Sequence, residues 1–482
     1  MGCQLTEVVY GSVAVAHGVA RRIHLGEIVD RHAPKRNGIP TGKLVEILAI
    51  NRLLDPLAKY EIPEWVQTTA LPELLDVVLS IESGYQTLTR CYDYLTDDVQ
   101  MHIEMELAEQ VRKVYSVSDS TFLYDITSTF TVGEGSGELF QYGYSRDHRP
   151  DCRQVNFGLV VSRKEAVPMF HKVFPGNIND CKTVKSMMNI FNDNMGMNGC
   201  LVVDRGMVST ANVVDIVDNR EMDLVAGMRM TEKLKRVTRQ IMSFDVQFQT
   251  TNEFIQAKEF QYIVGKKPRR SILYFSQQKA ARDYKARMKN VRLVEKEMTE
   301  ISKKCTRPKG RGRNPDPKKA IKNIDKLVAS KNVKGFFRYR FVGGRGGRRF
   351  KWSRDDNALE KAKEIDGKYV LITTLDNAPK KILSIYRSRS VIERAFRLTK
   401  EKIKIRPIWS RNEQHIKAHL FICFLAYLLM SLIELKLRRA GEKISGQKAL
   451  KRMSYRTMEV ERKITVDNGT REFRIFKKET RG

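Results

Sequence analysis

Acidic residues are scarce beside basic ones: 56 Asp+Glu stand against 87 Lys+Arg, for a formal net charge of +31. A surplus of that size must lie on the surface, where it attracts a polyanion, nucleic acid before others. Cysteine is sparse and unpaired in pattern, with 7 residues, no C-x-x-C and no His at zinc-finger spacing. That excludes a disulfide framework and a zinc finger, and reads as reduced thiols in a cytoplasmic protein. The longest largely apolar run, Leu420 to Ile433, falls about four residues short of a membrane span and is expected to be a buried helix. The small-residue run Val13 to Ala20 is interrupted by His17 and has no basic region before it, so it is not expected to be a secretory signal. Met1-Gly2-Cys3 followed by Thr6 fits a myristoylation pattern too short to weigh. A phosphate-binding loop is missing as well: Gly38-Ile-Pro-Thr-Gly-Lys43 is one residue short and lacks the Ser/Thr, so ATP dependence is not expected.

With 41% hydrophobic and 30% charged residues over 482 positions, the chain has the apolar material for packed cores, about two to four domains of it. Residues 1–117 show helical periodicity in Lys43–Leu54, Leu71–Ile81 and Met101–Val114, which predicts a separate helical domain. Between 118 and 230, strand signals at Thr121–Thr131, Gln154–Ser162, Pro168–Phe174, Leu201–Asp204 and Asp223–Met228 predict a mixed sheet, with helices near Cys181–Phe191 and Ser209–Val217.

Residues 231–367 change character. A hairpin (Glu259–Val264 with Ser271–Ser276) leads into a charged helix, Gln277–Lys304, and a Pro/Gly/Arg loop at Arg307–Pro317 that cannot be helical. A second hairpin pairs Phe336–Val342 with Arg348–Ser353. From Lys303 to Arg354 there are 19 Lys/Arg against Asp316 and Asp325 alone, so +17 of the +31 falls in this stretch. Residues 368–440 return to a strand at Tyr369–Thr374 and a long helix from Pro379 that stops before Pro407. The segment 441–482 is a tail.

Three acids could carry chemistry. Asp125 sits in Phe122-Leu-Tyr-Asp-Ile-Thr-Ser-Thr-Phe130, where period-two alternation places it with Thr127 and Thr129 on one face. A carboxylate in mid-strand is costly to bury unless it is paired or binds a cation. Asp204 ends Leu201-Val-Val-Asp at the carboxyl end of a strand, where open α/β sheets build sites, although backbone amides alone could satisfy it. On the predicted helix of 380–405, Tyr386, Arg389, Glu393 and Lys400 fall within an arc of roughly 60° over roughly 21 Å, one polar stripe opposite Val391, Ala395 and Leu398. Glu393 among these cations suits a surface that holds a metal and binds phosphates, or equally a solvated face with i,i+4 pairs. His415 and His419 lack a third partner and read as a structural pair.

The spacing Y-x2-R-x3-E-x6-K over Tyr386, Arg389, Glu393 and Lys400 resembles the YREK signature of insertion-sequence DDE transposases of the insertion-sequence-four superfamily. Leu123-Tyr-Asp-Ile-Thr-Ser128 is similar to that family's first-aspartate strand and Val203-Asp-Arg-Gly-Met207 to its second-aspartate motif. Tyr142–Asp151, Phe174-Pro-Gly-Asn177, Arg406-Pro-Ile-Trp409 and His419–Phe424 resemble the flanking segments. The resemblance implies a ribonuclease-H-like core interrupted by a β-rich basic insertion, with Asp125, Asp204 and Glu393 as catalytic metal ligands for two Mg²⁺ ions, which Mn²⁺ can replace. It implies DNA nicking at element ends and strand transfer into target DNA, by a prokaryotic, nucleoid-associated homodimer whose helical N-terminal domain reads terminal inverted repeats. Arg205, Tyr386, Arg389 and Lys400 become DNA contacts. In the second insertion hairpin, Tyr339 and Trp352 either pack a small core or stack on a flipped base. A structure-specific nuclease and a catalytically silent transposase-derived repressor remain the alternatives.

Overall fold

In the computed structural model the described residues are 4–118, 120–133, 137–194, 196–241, 243–306, 315–343, 349–467 and 470–478, with backbone alone at 4–5, 193–194 and from 461 onward. The chain divides into two compact units, one of Met1–Ala226 with Ser384–Gly482, the other of Gly227–Leu383.

The first unit opens with strand β1 (Gln4–Val9) and helices α1 (Gly11–Arg22), α2 (Leu25–His32) and α3 (Thr41–Leu54). Helix α4 (Asp97–Tyr115) follows after short helices, and the periodicity at Leu71–Ile81 yields helix only to Leu75, where Asp76 turns left-handed at φ 49°. The sheet then forms from β2 (Thr121–Phe130), β3 (Gln154–Ser162) and β4 (Pro168–Pro175), with helix α5 (Asp180–Met188) before β5 (Cys200–Val203) and β6 (Leu224–Gly227). Its order is β4-β3-β2-β5-β6, antiparallel among the first three and parallel from β2 to β5 to β6. Strand β3 is buried at every position, as a strand covered on both faces must be.

One covering layer is α5, whose Thr183 hydroxyl accepts from the Tyr124 phenol at 2.7 Å. On the other face lie α7 (Ser390–Glu401), which follows α6 (Pro379–Arg387), and α8 (Glu413–Arg439); α7 packs on β2 and β3. Helix α8 runs well past the apolar run expected at 420–433. It is long and apolar enough to cross a membrane, yet 83% of its most apolar window is buried, against α1, α3, α4 and β4 among others. The N-terminal helices, expected as a separate domain, therefore belong to the same compact unit as the sheet. Glu104 of α4 helps bind them: its carboxylate accepts the His171 backbone amide of β4 at 3.0 Å and pairs with the His171 ring.

The segment after 440, expected as a tail, forms a helix (Gly446–Met453) and strands β7 (Thr457–Asp467) and β8 (Thr470–Lys478). Strand β7 pairs with β1, so both ends of the described chain share one antiparallel sheet.

In the second unit, strands Val246–Gln249, Phe254–Val264, Lys267–Ser276 and Lys368–Thr373 pair antiparallel in the order 368–373, 267–276, 254–264, 246–249. The last of these strands in sequence pairs with Lys267–Ser276. The 29-residue helix Gln277–Cys305, helix Pro317–Ser330 and the hairpin of Phe337–Val342 with Arg349–Arg354 close around Val291, Val294, Met298, Ile324, Phe337 and Phe350. Pro317 starts its helix, with Asp316 capping the Lys319 amide at 2.9 Å. Most of the basic loop (307–314) and the Gly/Arg turn (344–348), like Met1-Gly2-Cys3, lie outside the described residues.

The near-match to a phosphate loop has a packing explanation. A Cβ on Gly42 would stand 2.1 Å from the Gly26 carbonyl oxygen, so α2 and α3 meet backbone to backbone there, and Asp30 accepts the Gly42 amide at 2.7 Å. Gly42→Ala is therefore expected to destabilise the fold by about 1–3 kcal/mol in denaturant titrations. Gly18→Ala, with nothing within 4 Å of the added carbon, should be neutral or slightly stabilising. Equal midpoints for the two variants would refute the packing role.

Candidate active site

Register places the first two acids. Strands β2 and β5 pair in parallel with Tyr124 opposite Val203. The next residues, Asp125 and Asp204, are thus level with each other on neighbouring strands, about 4.8 Å apart in the pairing direction, and aimed to the same side. That side is the one α7 covers.

Asp125 is half-buried and accepts the Ile126 amide at 2.8 Å. Burial lifts its pKa to about 6, and the neighbouring Asp204 pushes the same way while the Ile126 amide and Arg389 pull back. Asp204 caps the turn Arg205–Met207 through the Arg205 amide at 2.6 Å. It also accepts from the Tyr386 hydroxyl at 3.1 Å and from Arg389 Nη1 at 2.8 Å. A backbone amide, a hydroxyl and a guanidinium thus share this one carboxylate.

The long helix expected from Pro379 to Pro407 is two helices, α6 and α7, with a tighter turn at Ser388–Arg389. Amides of Arg389 and Val391 bond three residues back, to Tyr386 and Ser388. The Ser388 hydroxyl donates to the Ile385 carbonyl at 2.5 Å and accepts from Arg163 at 3.0 Å, which ties the break to the end of β3. The face of α7 turned inward is Ile392, Ala395, Phe396 and Thr399; Val391 and Leu398 are only half-buried.

This break decides where the signature side chains go. Arg389, with 14% of its side chain exposed, bridges Asp204 and Glu393, reaching the latter through Nη2 at 3.7 Å. Its Nε is buried without a hydrogen-bond partner. The Tyr386 hydroxyl, pushed up to about 12 by burial and by Asp204, accepts from Arg389 at 3.0 Å. Glu393 stays open, with 62% of its side chain exposed.

Lys400 departs from the predicted phosphate-facing stripe. Its side chain is only 11% exposed and its ammonium lies 2.8 Å from Asp147, a buried carboxylate that Arg406 also contacts. Burial draws Lys400 below the usual lysine range against the pull of Asp147. The loop bearing Asp147 is further fixed by Arg146, whose amide donates to Ser128 at 2.8 Å and whose guanidinium pairs with Asp180 at 2.9 Å. Sequence reasoning had not singled out Asp147, Arg146, Asp180 or Arg406; the alternating charges of Ser145-Arg-Asp-His-Arg-Pro-Asp151 were the available signal. Arg205 is exposed beside Asp204.

Tyr339 and Trp352, placed opposite each other in the second-unit hairpin, do not form an open platform. The Tyr339 hydroxyl bonds Asp325, and the Trp352 ring packs edge-on to Phe337 at 6.2 Å on the small core. Alternation turns the aromatics inward and leaves Arg338, Arg340, Arg349 and Lys351 exposed. The histidines behave as expected of structural residues: His415 pairs with Asp93 at 2.7 Å, and His419 is buried against the Ile405 carbonyl.

The acids suit a divalent cation by donor type, since carboxylate oxygens are hard ligands and Asp125 is a half-buried carboxylate with no ion pair of its own among the described residues. Among the described residues, however, no three His, Cys, Asp or Glu side chains stand close enough to share one ion. The guanidinium of Arg389 is the cation that draws Asp204 and Glu393 together.

The profile of the family described as Transposase DDE domain matches residues 121–429 of this chain. No curated protein matches it in sequence. Among solved structures, a piggyBac transposase synaptic complex with hairpin DNA, determined by cryo-electron microscopy, is similar at a TM-score of 0.43 and 8% identity, over 94% of this chain and 82% of that one.

Two outcomes are expected. A carboxyl whose pKa is about 6 folded and 3.8 ordinarily holds its proton more tightly when folded, so ionising Asp125 costs stability; the cost is absent below about pH 4 and complete above about pH 6. In chelator, Asp125→Asn should raise the melting temperature relative to wild type at pH 8, with a gain in unfolding free energy on the order of 1–2 kcal/mol, and leave it unchanged near pH 4. A pH-independent difference would contradict the burial argument. Lys400→Ala, which removes one partner of a buried ion pair, should lower stability by about 2–4 kcal/mol in the same melts; a loss under 0.5 kcal/mol, of the order typical for exposed pairs, would show that Lys400 faces solvent.

Proposed function

The chain belongs to the Transposase DDE domain family, and from that premise we propose that it is an active DNA transposase that nicks DNA at element ends and joins the freed 3′ end to target DNA. The observation that carries the reading is the level placement of Asp125 and Asp204 on parallel strands, with Glu393 tied to the same cluster through Arg389. The order β4-β3-β2-β5-β6, three antiparallel strands followed by two parallel ones, supports a ribonuclease-H-like core, with residues 227–383 as its basic insertion.

Asp125 and Asp204, with Glu393 beside them across Arg389, are the residues that would hold a divalent cation, Mg²⁺ or Mn²⁺. Such a cation supplies Lewis-acid charge to the phosphate under attack and to its leaving oxygen. Arg389 has two uses for one charge. Without DNA and metal its guanidinium neutralises Asp204 and Glu393; with both present, its fork and the unpartnered Nε suit a phosphate. Tyr386 keeps Arg389 and Asp204 in register through its hydroxyl. Arg205, exposed at the same strand end, is placed for a backbone contact. Lys400 acts at one remove, by fixing the Asp147 loop.

The +31 charge, concentrated in the insertion, supports non-specific grip on DNA. The helices before residue 118 are the proposed readers of terminal inverted repeats, and a homodimer is the proposed form that holds two ends, in the cytoplasm and at the nucleoid, without ATP. A silent DNA-binding repressor would need none of the three acids, and keeping Asp125 ionised in a half-buried site would then be a cost without return.

The test uses supercoiled plasmid carrying the inverted repeats that flank the gene. Asp125→Asn, Asp204→Asn and Glu393→Gln should each reduce nicking and joining in Mg²⁺ or Mn²⁺ by more than about 10³-fold, while gel-shift affinity stays within about threefold. Strand cleavage by any one of them at the wild-type rate would sink the assignment. Arg389→Ala should tighten divalent-cation binding in calorimetry and lower the salt slope of DNA binding by about one; a change in neither would remove Arg389 from the site.

A further inference from the structure

Beyond the carboxylates, the first unit carries a second concave site. After Arg406 the chain runs beside the exit of β2: the Ile408 amide donates to the Phe130 carbonyl at 3.2 Å, and the Val132 amide to the Ile408 carbonyl at 2.9 Å. This fixes Trp409 opposite the loop that follows α3. Between them opens a cavity of about 580 Å³, walled by Trp409, Tyr60, Tyr85 and Tyr92 and flanked by Arg52 and Lys59. That volume suits one small planar ligand and is far too narrow for a duplex.

The lining is unusual for a packed core. Trp409 is 72% exposed and Tyr60 70% exposed, so two large aromatic faces stand in water with nothing covering them. Lys59 lies 4.0 Å from the centroid of the Tyr92 ring. Burial and the nearby Arg52 hold Lys59 down at about 8, with Asp93 pulling it back up, so an arriving anion would be met by a cation and would favour its charged form further. Of the acids beside it, Asp93 pairs with His415 at 2.7 Å and Glu61 accepts the Ala58 amide at 2.9 Å. Aromatic faces flanked by cations match an unstacked base with its phosphate, because stacking is indifferent to sequence and the cations meet the backbone. An apolar peptide would leave Arg52 and Lys59 without a role.

Position agrees with this. Phe130 lies five residues beyond Asp125 along β2, or about 17 Å of strand, which is about five stacked bases at 3.4 Å each. A strand held at Asp125 can therefore reach the cavity a few nucleotides away.

We propose that this cavity takes an unstacked nucleobase of a DNA strand, with Trp409 and Tyr60 as its stacking faces and Arg52 and Lys59 on the adjoining phosphates. The assignment rests on the DNA-acting reading for its choice of ligand. It moves the stacking role from Tyr339 and Trp352, which pack a core, to residues that stand exposed.

The experiment is fluorescence anisotropy of the full-length protein with two labelled probes at one salt concentration, an oligothymidylate dodecamer and an abasic strand of equal length. Trp409→Ala should weaken binding of the oligothymidylate by roughly 5- to 100-fold and leave the abasic strand within about twofold. Trp409→Phe should keep most of the affinity, and Tyr60→Ala should repeat the alanine result; both positions are exposed, and unchanged circular-dichroism melts establish that each variant is folded. Equal loss on both probes would assign Trp409 to fold or backbone contact and overturn the proposal. Wild-type-like binding of oligothymidylate by both alanine variants would overturn it too, while leaving plasmid nicking, and with it the DNA-acting reading, intact. Failure of the wild-type protein to bind either DNA probe or plasmid would defeat both together.

Discussion

Two negative charges set level on adjacent parallel strands are the constraint from which the rest of the catalytic unit follows. Parallel pairing of β2 with β5 leaves no freedom about where Asp125 and Asp204 stand: one register fixes both, and the pleat aims both at the same layer. Burial lifts the Asp125 pKa to about 6, and the like charge of Asp204 adds to the lift. Something positive has to be brought to them. The turn at Ser388–Arg389 does so by interrupting what would otherwise be one helix, so that Arg389 leans over Asp204 while Glu393 remains at the surface within its reach.

Support for that turn comes from distant parts of the chain. Arg163 at the end of β3 holds Ser388, and Lys400, one helix further on, holds Asp147 on the loop between β2 and β3. Each is a polar tie between a helix on one face and a strand or loop of the sheet, and each is sheltered enough that loss of one partner strands the other. Behind them α8 supplies the apolar mass. A helix buried over most of its length has no amphipathic stripe, which is why it satisfies the length and composition of a membrane span while lying inside a protein core.

Legibility in the sequence follows the range of the interaction. Strands β2 to β6 could be read within a residue or two, because alternation and β-branched runs are local signals. Asp125 and Asp204 stood out for the same reason, each being an acid where a strand pattern disfavours one. The stripe of Tyr386, Arg389, Glu393 and Lys400 was drawn on an ideal helix, and the ideal failed at Ser388, whose bonds to Ile385 and Arg163 no periodicity can foresee. The pairing of Lys400 with Asp147 joins residues 253 apart in sequence and was invisible for that reason. Likewise the segment after 440 looked like a tail because its partner strand, Gln4–Val9, is at the other end of the chain.

The hairpin aromatics illustrate how an alternating pattern can be right and its meaning reversed. Phe337, Tyr339 and Phe341 do share one face, with Arg338 and Arg340 on the other, but two helices of the same unit cover the aromatic face and leave the arginines to solvent. Burial therefore separates two jobs that the sequence placed on one element. What this hairpin offers to solvent is charge alone, and attraction of a polyanion by charge is blind to base identity and sensitive to salt. Aromatic surface in open water is found instead at Trp409 and Tyr60, on a segment pinned to the same strand that carries Asp125. On the proposed reading, charge on one unit and stacking surface on the other would let affinity and the positioning of a single nucleotide be altered separately, since salt-sensitive attraction and base stacking draw on different side chains.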